Sequence, residues 1–320
     1  MSGWGGDLGG PLVLCFGVVD EADILEDFLE YHLSLGIDRF IATDVGSTDG
    51  TLDILARYER VGLLHLTRYD NPSVRAEQRD WLSAMAFRAR DELGAAWCVF
   101  CDPDEFWVFP EGEARRYLAA APAPIVVFPR YNLLPARSRV SGEVAHFREF
   151  DLLVRRPLEF FYNVHRLRDA DGVESMLRDY APDILRIVGP KVAARSDVVR
   201  TVLPGFHDVI PDEAAAVRHR EPAGYVGHFQ ARNVAQFRNK ARLVADYIAA
   251  NPPEEDRASS RHWVRLAALY RAGRIDEEFA RQVLSDAEIA ERLKQGVVEH
   301  DGRIAARLAA IASAKRTAAD

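Results

Sequence analysis

Short apolar runs alternate with amphipathic stretches through the first 130 residues of the chain. Five runs have the length and β-branched content of buried strands: 11–19, 37–43, 61–67, 96–101 and 125–129. Between them, three stretches carry apolar side chains at helical spacing: 20–35, 51–60 and 74–93. This alternation predicts βαβ units, and therefore an α/β fold with a Rossmann-like, mostly parallel sheet flanked by helices.

The second half of the chain has a different pattern. Residues 130–228 mix proline, glycine and isolated aromatic side chains, which is typical of an active-site half built of loops and also of an α+β region. Residues 234–250 predict a helix, and Asn251-Pro252-Pro253 reads as a linker. We therefore expect a main domain at 1–250 and a helical C-terminal extension at 251–320. The extension is a structural brace by default, with a lid or a dimerisation element of a homodimer as the alternatives.

The amino-acid composition indicates which partners and which cellular compartment to expect. The 320 residues carry 41 basic and 49 acidic side chains, a net charge of −8, so no nucleic-acid partner is expected. No leader and no run of 18 apolar residues occurs, which predicts a cytoplasmic protein without a transmembrane segment. Three cysteines do not make a disulfide framework, and we expect Cys98 and Cys101 to be buried thiols.

Acidic residues follow three of the predicted strands. Asp20 and Glu21 come after the first strand, Asp44 ends the second, and the fourth leads into Asp102-Pro103-Asp104-Glu105. Open α/β sheets place ligands at the carboxyl ends of their strands, and clustered carboxylates suit Mg²⁺ or Mn²⁺, whose usual partner is a phosphate group. Taken singly, each acid can instead be a solvated turn residue or a helix cap. The combination favours a metal-assisted phosphate site, although no glycine-rich phosphate loop occurs.

These motifs resemble those of family-2-like glycosyltransferases, in the subgroup with the approximate pattern NE…EW…YH…G, DNxSxD and DxDEF. The resemblance covers about residues 12–110 and is carried by four segments: Asp20-Glu21, Glu26 to His32, Asp44 to Thr51, and Asp102 to Phe106. It is weaker at 189–192 with His207, and at 227–233. The chain departs from the pattern at three places: Asp20 stands for Asn, Asp27-Phe28 for Glu-Trp, and Val45 for Asn.

The resemblance implies a glycosyltransferase A-type catalytic domain that binds a nucleotide-diphosphate sugar, with a UDP-sugar expected, and a hydroxyl acceptor. Asp44 would hold the base or ribose. Seven side chains are candidates for the nucleotide sugar: Asp20, Glu21, Asp44, Ser47, Arg79, Asp102 and Lys191. For Ser47 and Arg79, ordinary turn chemistry and a helix-surface charge remain open alternatives.

The resemblance also implies a Mn²⁺ or Mg²⁺ site and a general base. Asp102, Asp104 and His207 are the candidate metal ligands, with His228 as a second histidine. Transfer with inversion needs a carboxylate that deprotonates the acceptor hydroxyl. Asp179 is the first candidate and Asp183 the second, with Glu149 and Asp151 further behind.

The sequence leaves three functions open. The first is a metal-dependent, inverting glycosyltransferase, which the resemblance favours. The second is a degenerate member that only binds a glycan or a partner, and the third is a nucleotidyltransferase. A nucleotidyltransferase would normally carry a glycine-rich basic loop after the first strand, where this chain has acids.

Overall fold

The structure is a computed structural model, and it describes residues 8–69, 78–135, 144–159, 174, 177–178, 180–251 and 261–319. Contacts divide the chain into two compact units. Unit 1 comprises residues 1–130, 189–228 and 306–320, and unit 2 comprises residues 131–188 and 229–305. This division differs from the boundary at residue 251 that the sequence predicts.

Unit 1 is built on a seven-stranded sheet. Its strands are β1 (Leu12–Val18), β2 (Arg39–Asp44), β3 (Leu64–Arg68), β4 (Trp97–Phe100), β6 (Ile125–Phe128), β9 (Lys191–Arg195) and β12 (Arg218–Arg220). They lie in the order β12-β6-β9-β4-β1-β2-β3. The pairs β4/β1, β1/β2, β2/β3 and β12/β6 are parallel, whereas β9 runs antiparallel to β4 and β6. The α/β class with a mostly parallel central sheet is therefore confirmed.

Among the described residues, unit 1 also contains four further strands and four helices that lie wholly within it. The strands are β5 (Glu105–Val108), β10 (Val199–Val202), β11 (Val209–Pro211) and β13 (Tyr225–His228); β7 (Arg130–Asn132) begins at Arg130, where the first segment of unit 1 ends. The helices are α1 (Leu25–Ser34), α2 (Thr51–Arg60), α3 (Gln78–Asp91) and α4 (Ala114–Ala119). One core cluster packs Trp81, Leu82 and Met85 of α3 against strand residues such as Val13 and Ile41, as the predicted amphipathic pattern requires.

Unit 2 contains β8 (Leu152–Val154), α5 (Val234–Ala250), α6 (Arg261–Arg271), α7 (Ile275–Gln282), α8 (Asp286–Lys294) and β14 (Val298–His300). The last helix, α9 (Arg303–Ala319), begins in unit 2 and continues in unit 1. Phe237 of α5, Leu269 of α6 and Phe279 of α7 share one core cluster with Leu134 and Ile184. The helices after residue 251 thus bury their apolar faces together with residues that precede it.

The cysteines are part of the core. Cys98 and Cys101 are free and buried, as expected, and so is Cys15. In the part of the chain that the structure describes, no helix is both long and apolar enough to cross a bilayer.

Candidate functional site

The topology of unit 1 brings the predicted acids to one edge of the sheet. Strands β4, β1 and β2 are parallel neighbours, so their carboxyl ends meet there with Asp102, Asp20 and Asp44. Strand β9 is antiparallel to β4, so its first residue, Lys191, reaches the same edge. Arg130 arrives there from the end of β6, because Phe128 is the register partner of Lys191.

Asp44 is fully buried at the end of β2. Its Oδ2 accepts hydrogen bonds from the backbone N–H groups of Gly46 and Ser47, each at 3.2 Å. Its Oδ1 is buried and accepts no hydrogen bond from the described residues. A buried carboxylate oxygen without a donor is costly, and a ribose hydroxyl or a base N–H group would satisfy it.

The loop after β1 is tied to the loop after β2. The backbone N–H of Asp20 donates to Ser47 Oγ at 3.0 Å, and the backbone N–H of Thr48 donates to Asp20 Oδ1 at 2.7 Å. The N–H of Glu21 donates to Thr51 Oγ1 at 2.9 Å. Asp20 adopts a left-handed φ of 51°, a conformation that Asp tolerates better than most residues. These bonds explain why α1 begins at Leu25, later than the predicted 20: residues 20–24 form the loop instead of a first helical turn.

Lys191 is a fully buried cation at the acidic loop after β4. Its Nζ donates to Asp102 Oδ2 at 2.7 Å and to Gly205 O at 2.7 Å, and it lies 2.8 Å from Glu105 Oε2. Arg130 contacts the other oxygen of Glu105. Burial alone would raise the pKa of Glu105, but the positive charges of Lys191 and Arg130 lower it to about 2. Desolvation raises the pKa of Asp102 to about 6 against the opposing effect of Lys191.

A second set of side chains has the arrangement of a metal site. Asp104, Glu105 and His228 each offer one ligand atom, and these atoms lie within 4.8 Å of one another. His228 Nε2 is 3.4 Å from Asp104 Oδ2. The antiparallel pairing of β5 with β13 accounts for the arrangement, because His228 is the register partner of Glu105. Among the described residues, neither Asp102 nor His207 belongs to a three-residue group of this kind.

The His207 ring packs closely against Gly189 and Gly205, next to Lys191. A Cβ atom on Gly205 would come within 2.7 Å of His207 Nε2, and one on Gly189 within 2.9 Å of Nδ1. His207 Nδ1 is 2.9 Å from Pro190 O. Burial lowers the pKa of His207 to about 4, and Lys191 and Arg130 act in the same direction. The ring is therefore neutral at pH 7, with its proton on Nδ1 and an acceptor at Nε2.

Two of the remaining candidates, Arg79 and Asp183, are among the described residues. Arg79 is exposed in the first turn of α3. Asp183 belongs to unit 2, where its carboxylate accepts from Arg186 Nε at 2.9 Å and from Gln230 Nε2 at 2.7 Å. Asp179 lies outside the described residues.

One part of the motif pattern has a structural role that sequence reasoning did not assign. Tyr31 and His32, the Tyr-His pair of α1, both bond to the backbone of Trp107, two residues beyond Glu105. Tyr31 Oη donates to Trp107 O at 3.0 Å, and the Trp107 N–H donates to His32 Nε2 at 3.4 Å. The Tyr-His pair thus fixes the strand that carries Glu105. The Tyr-His motif in the sequence was the feature that could have indicated this role.

Comparison with known proteins supports the coarser part of the resemblance, that to a glycosyltransferase, in the same part of the chain. The sequence model of glycosyltransferase family 92 matches residues 10–120. A glycosyltransferase family 92 protein of Ricinus communis is 30% identical over 107 residues, which is 33% of this chain and 18% of that protein. One from Arabidopsis thaliana is 24% identical over 147 residues, 44% of this chain and 21% of that protein. The chain thus spans about a fifth of the length of these curated relatives.

Solved structures with partial similarity are also found. Staphylococcus aureus TarS 1–349 aligns with a TM-score of 0.36 and 11% identity, over 89% of this chain and 92% of that one. Glucosyl-3-phosphoglycerate synthase from Mycobacterium tuberculosis, in complex with Mn²⁺, UDP and glucosyl-3-phosphoglycerate, aligns with a TM-score of 0.33 and 13% identity. That alignment covers 78% of this chain and 82% of the synthase chain.

Proposed function

We propose that this chain is a glycosyltransferase with a glycosyltransferase A-type catalytic domain, which uses a nucleotide-diphosphate sugar and Mn²⁺ or Mg²⁺. The observation that carries the proposal is the shared edge of β4, β1 and β2, where Asp102, Asp20 and Asp44 converge. The family 92 match covers all three positions. A UDP-sugar is the proposed donor and a hydroxyl group the proposed acceptor.

The nucleoside would bind over the joined loops after β1 and β2. Asp44 Oδ1 is the acceptor for a ribose hydroxyl or a base N–H. Asp20, Glu21 and Ser47 shape the same pocket wall, since Asp20 and Glu21 are bonded to the loop after β2. An acid at position 20 can accept but cannot donate as an Asn amide does, so this wall selects for donor groups on the nucleoside.

The donor set fits a divalent cation. Carboxylate oxygens of Asp104 and Glu105 with an imidazole nitrogen of His228 suit Mn²⁺, which accepts mixed oxygen and nitrogen ligands. When bound, the cation would neutralise charge that develops on the departing nucleoside diphosphate. Asp102, with 37% of its side chain exposed, would orient the diphosphate side of this site, and Arg79 is the proposed contact to the nucleotide. Lys191 would act on the phosphates through its charge, because its N–H groups are already engaged. His207 remains the alternative histidine ligand, through Nε2.

Inverting transfer needs a base that removes the acceptor proton. Asp179 remains the first proposal and Asp183 the second. The carboxylate of Asp183 accepts hydrogen bonds from Arg186 and Gln230, which fix its orientation.

The test is turnover of a panel of nucleotide sugars, with hydrolysis measured as release of the nucleoside diphosphate, in the presence of Mn²⁺, Mg²⁺ or EDTA. The proposal expects metal-dependent release from at least one donor, and loss of that release in Asp104→Ala. Nucleotide binding without turnover by any donor would favour the binding-only alternative. Failure of every nucleoside diphosphate to bind would refute the proposed donor class.

A further inference from the structure

The ammonium group of Lys191 is saturated inside the acidic cluster. Its three N–H groups face three oxygens at 2.7–2.8 Å: Asp102 Oδ2, Glu105 Oε2 and Gly205 O. No part of the side chain is exposed. Lys191 is therefore held where a divalent cation would be attracted, and solvent does not screen its charge.

Both carboxylate oxygens of Glu105 also have partners. Its Oε2 faces Lys191 and also accepts the backbone N–H of Asp102 at 2.9 Å, while Arg130 contacts its Oε1. The cluster contains three carboxylates, Asp102, Asp104 and Glu105, and two cations, Lys191 and Arg130. An entering cation therefore meets a cluster close to neutral, and Glu105 can join it only by sharing oxygens that already have cationic partners.

We propose that Lys191 is a resident counter-cation that weakens divalent-metal binding to the ligand-free protein. The inference rests on the proposed function, because it concerns the same carboxylates. A nucleoside diphosphate supplies the negative charge that the cluster lacks, so a divalent cation that enters together with it would be attracted to the site in spite of Lys191. Metal and diphosphate then bind cooperatively, and each raises the affinity of the other by the same factor.

The decisive measurement is the affinity for Mn²⁺ alone, by isothermal titration and by the electron paramagnetic resonance signal of free Mn²⁺. Lys191→Met removes the buried charge at similar length and is expected to bind Mn²⁺ at least about tenfold more tightly than the unmodified protein. Lys191→Arg retains the charge and should retain the weak binding. Lys315→Met, at a half-exposed lysine that pairs with Glu30 at 3.0 Å, is the matched control and should leave the affinity unchanged.

Arg130→Met is the second variant, because Lys191→Met leaves buried acceptors unpaired and can fail to fold. It removes the other cation on Glu105 and should also tighten Mn²⁺ binding. Folded variants that bind Mn²⁺ no more tightly than the unmodified protein would overturn the inference. If Mn²⁺ binding tightens but UDP binds none of these proteins, the role of Lys191 stands and the proposed function falls.

Discussion

We expect the free energy of unfolding to fall in mild acid, because buried His32 cannot take up a proton in the folded protein. The ring is fully buried in α1, its Nδ1 lies 2.8 Å from Phe28 O, and its Nε2 accepts the Trp107 N–H. This geometry fixes the neutral tautomer with the proton on Nδ1. A second proton on Nε2 would face the Trp107 N–H, and desolvation lowers the pKa of His32 from 6.5 to about 3.

The sign and size of the effect follow from linkage. Above pH 6.5 the folded and unfolded chains both hold neutral His32, so the full stability is present. Between pH 6.5 and 3 only the unfolded chain takes up the proton, so the free energy of unfolding falls as the pH falls, by about 1.36 kcal/mol per unit. At pH 5 the loss from this one residue is about 2 kcal/mol.

Urea unfolding at pH 7 and pH 5, followed by circular dichroism and tryptophan fluorescence, measures this loss. His32→Gln should be less stable than the unmodified protein at pH 7 but should lose about 2 kcal/mol less on going to pH 5. The control is His300→Gln, at a histidine with 60% of its side chain exposed, which should keep the full pH effect. Parallel losses in the unmodified protein and His32→Gln would refute the assignment of the effect to His32.

Three shorter predictions address the candidate site. Asp104→Ala should lower turnover about 100-fold or more without unfolding the protein, because its carboxylate offers charge to the site; unchanged turnover in the folded variant contradicts it. Asp44→Ala should raise KM with kcat nearly unchanged, since a nucleoside contact is equal in ground and transition states; a kcat loss at constant KM would place Asp44 at the reacting atoms. Mn²⁺ with UDP should raise the free energy of unfolding by more than the sum of the two alone, where a single ligand at 100 times its Kd adds about 2.7 kcal/mol; additive shifts would speak against a shared site.

Most strands and helices of the first 130 residues were predictable because they have a local signature, whereas β5 and α4 were not predicted. β1, β2 and β4 fall within the predicted runs to within one or two residues, and α2 occupies the predicted range. Parallel strands buried on both faces read as continuous apolar runs, so the periodicity alone identified them. The start of α1 was missed because the bonds that replace its first turn come from Ser47, Thr48 and Thr51, which are 27 to 30 residues away.

The partners of the acids were harder to predict because they come from strands whose order the sequence does not reveal. Lys191 is 89 residues from Asp102 and reaches it because β9 inserts antiparallel beside β4. His228 reaches Glu105 through the β5/β13 register, which no local pattern encodes. Sequence reasoning therefore favoured His207, which lies near Lys191 in the chain, and treated Lys191 as a phosphate contact alone.

Helix α1 connects the two halves of the candidate site. At its amino-terminal end, the loop from Asp20 is bonded to the loop that follows Asp44. At its other end, Tyr31 and His32 hold Trp107, whose strand carries Glu105 into register with His228. The helix is buried along Leu25, Phe28 and Leu29, so it cannot shift at one end without disturbing the packing at the other. The spacing between the joined loops after β1 and β2 and the acidic cluster is thus set by one rigid element, as the proposed nucleotide-sugar donor, which would span both, would require.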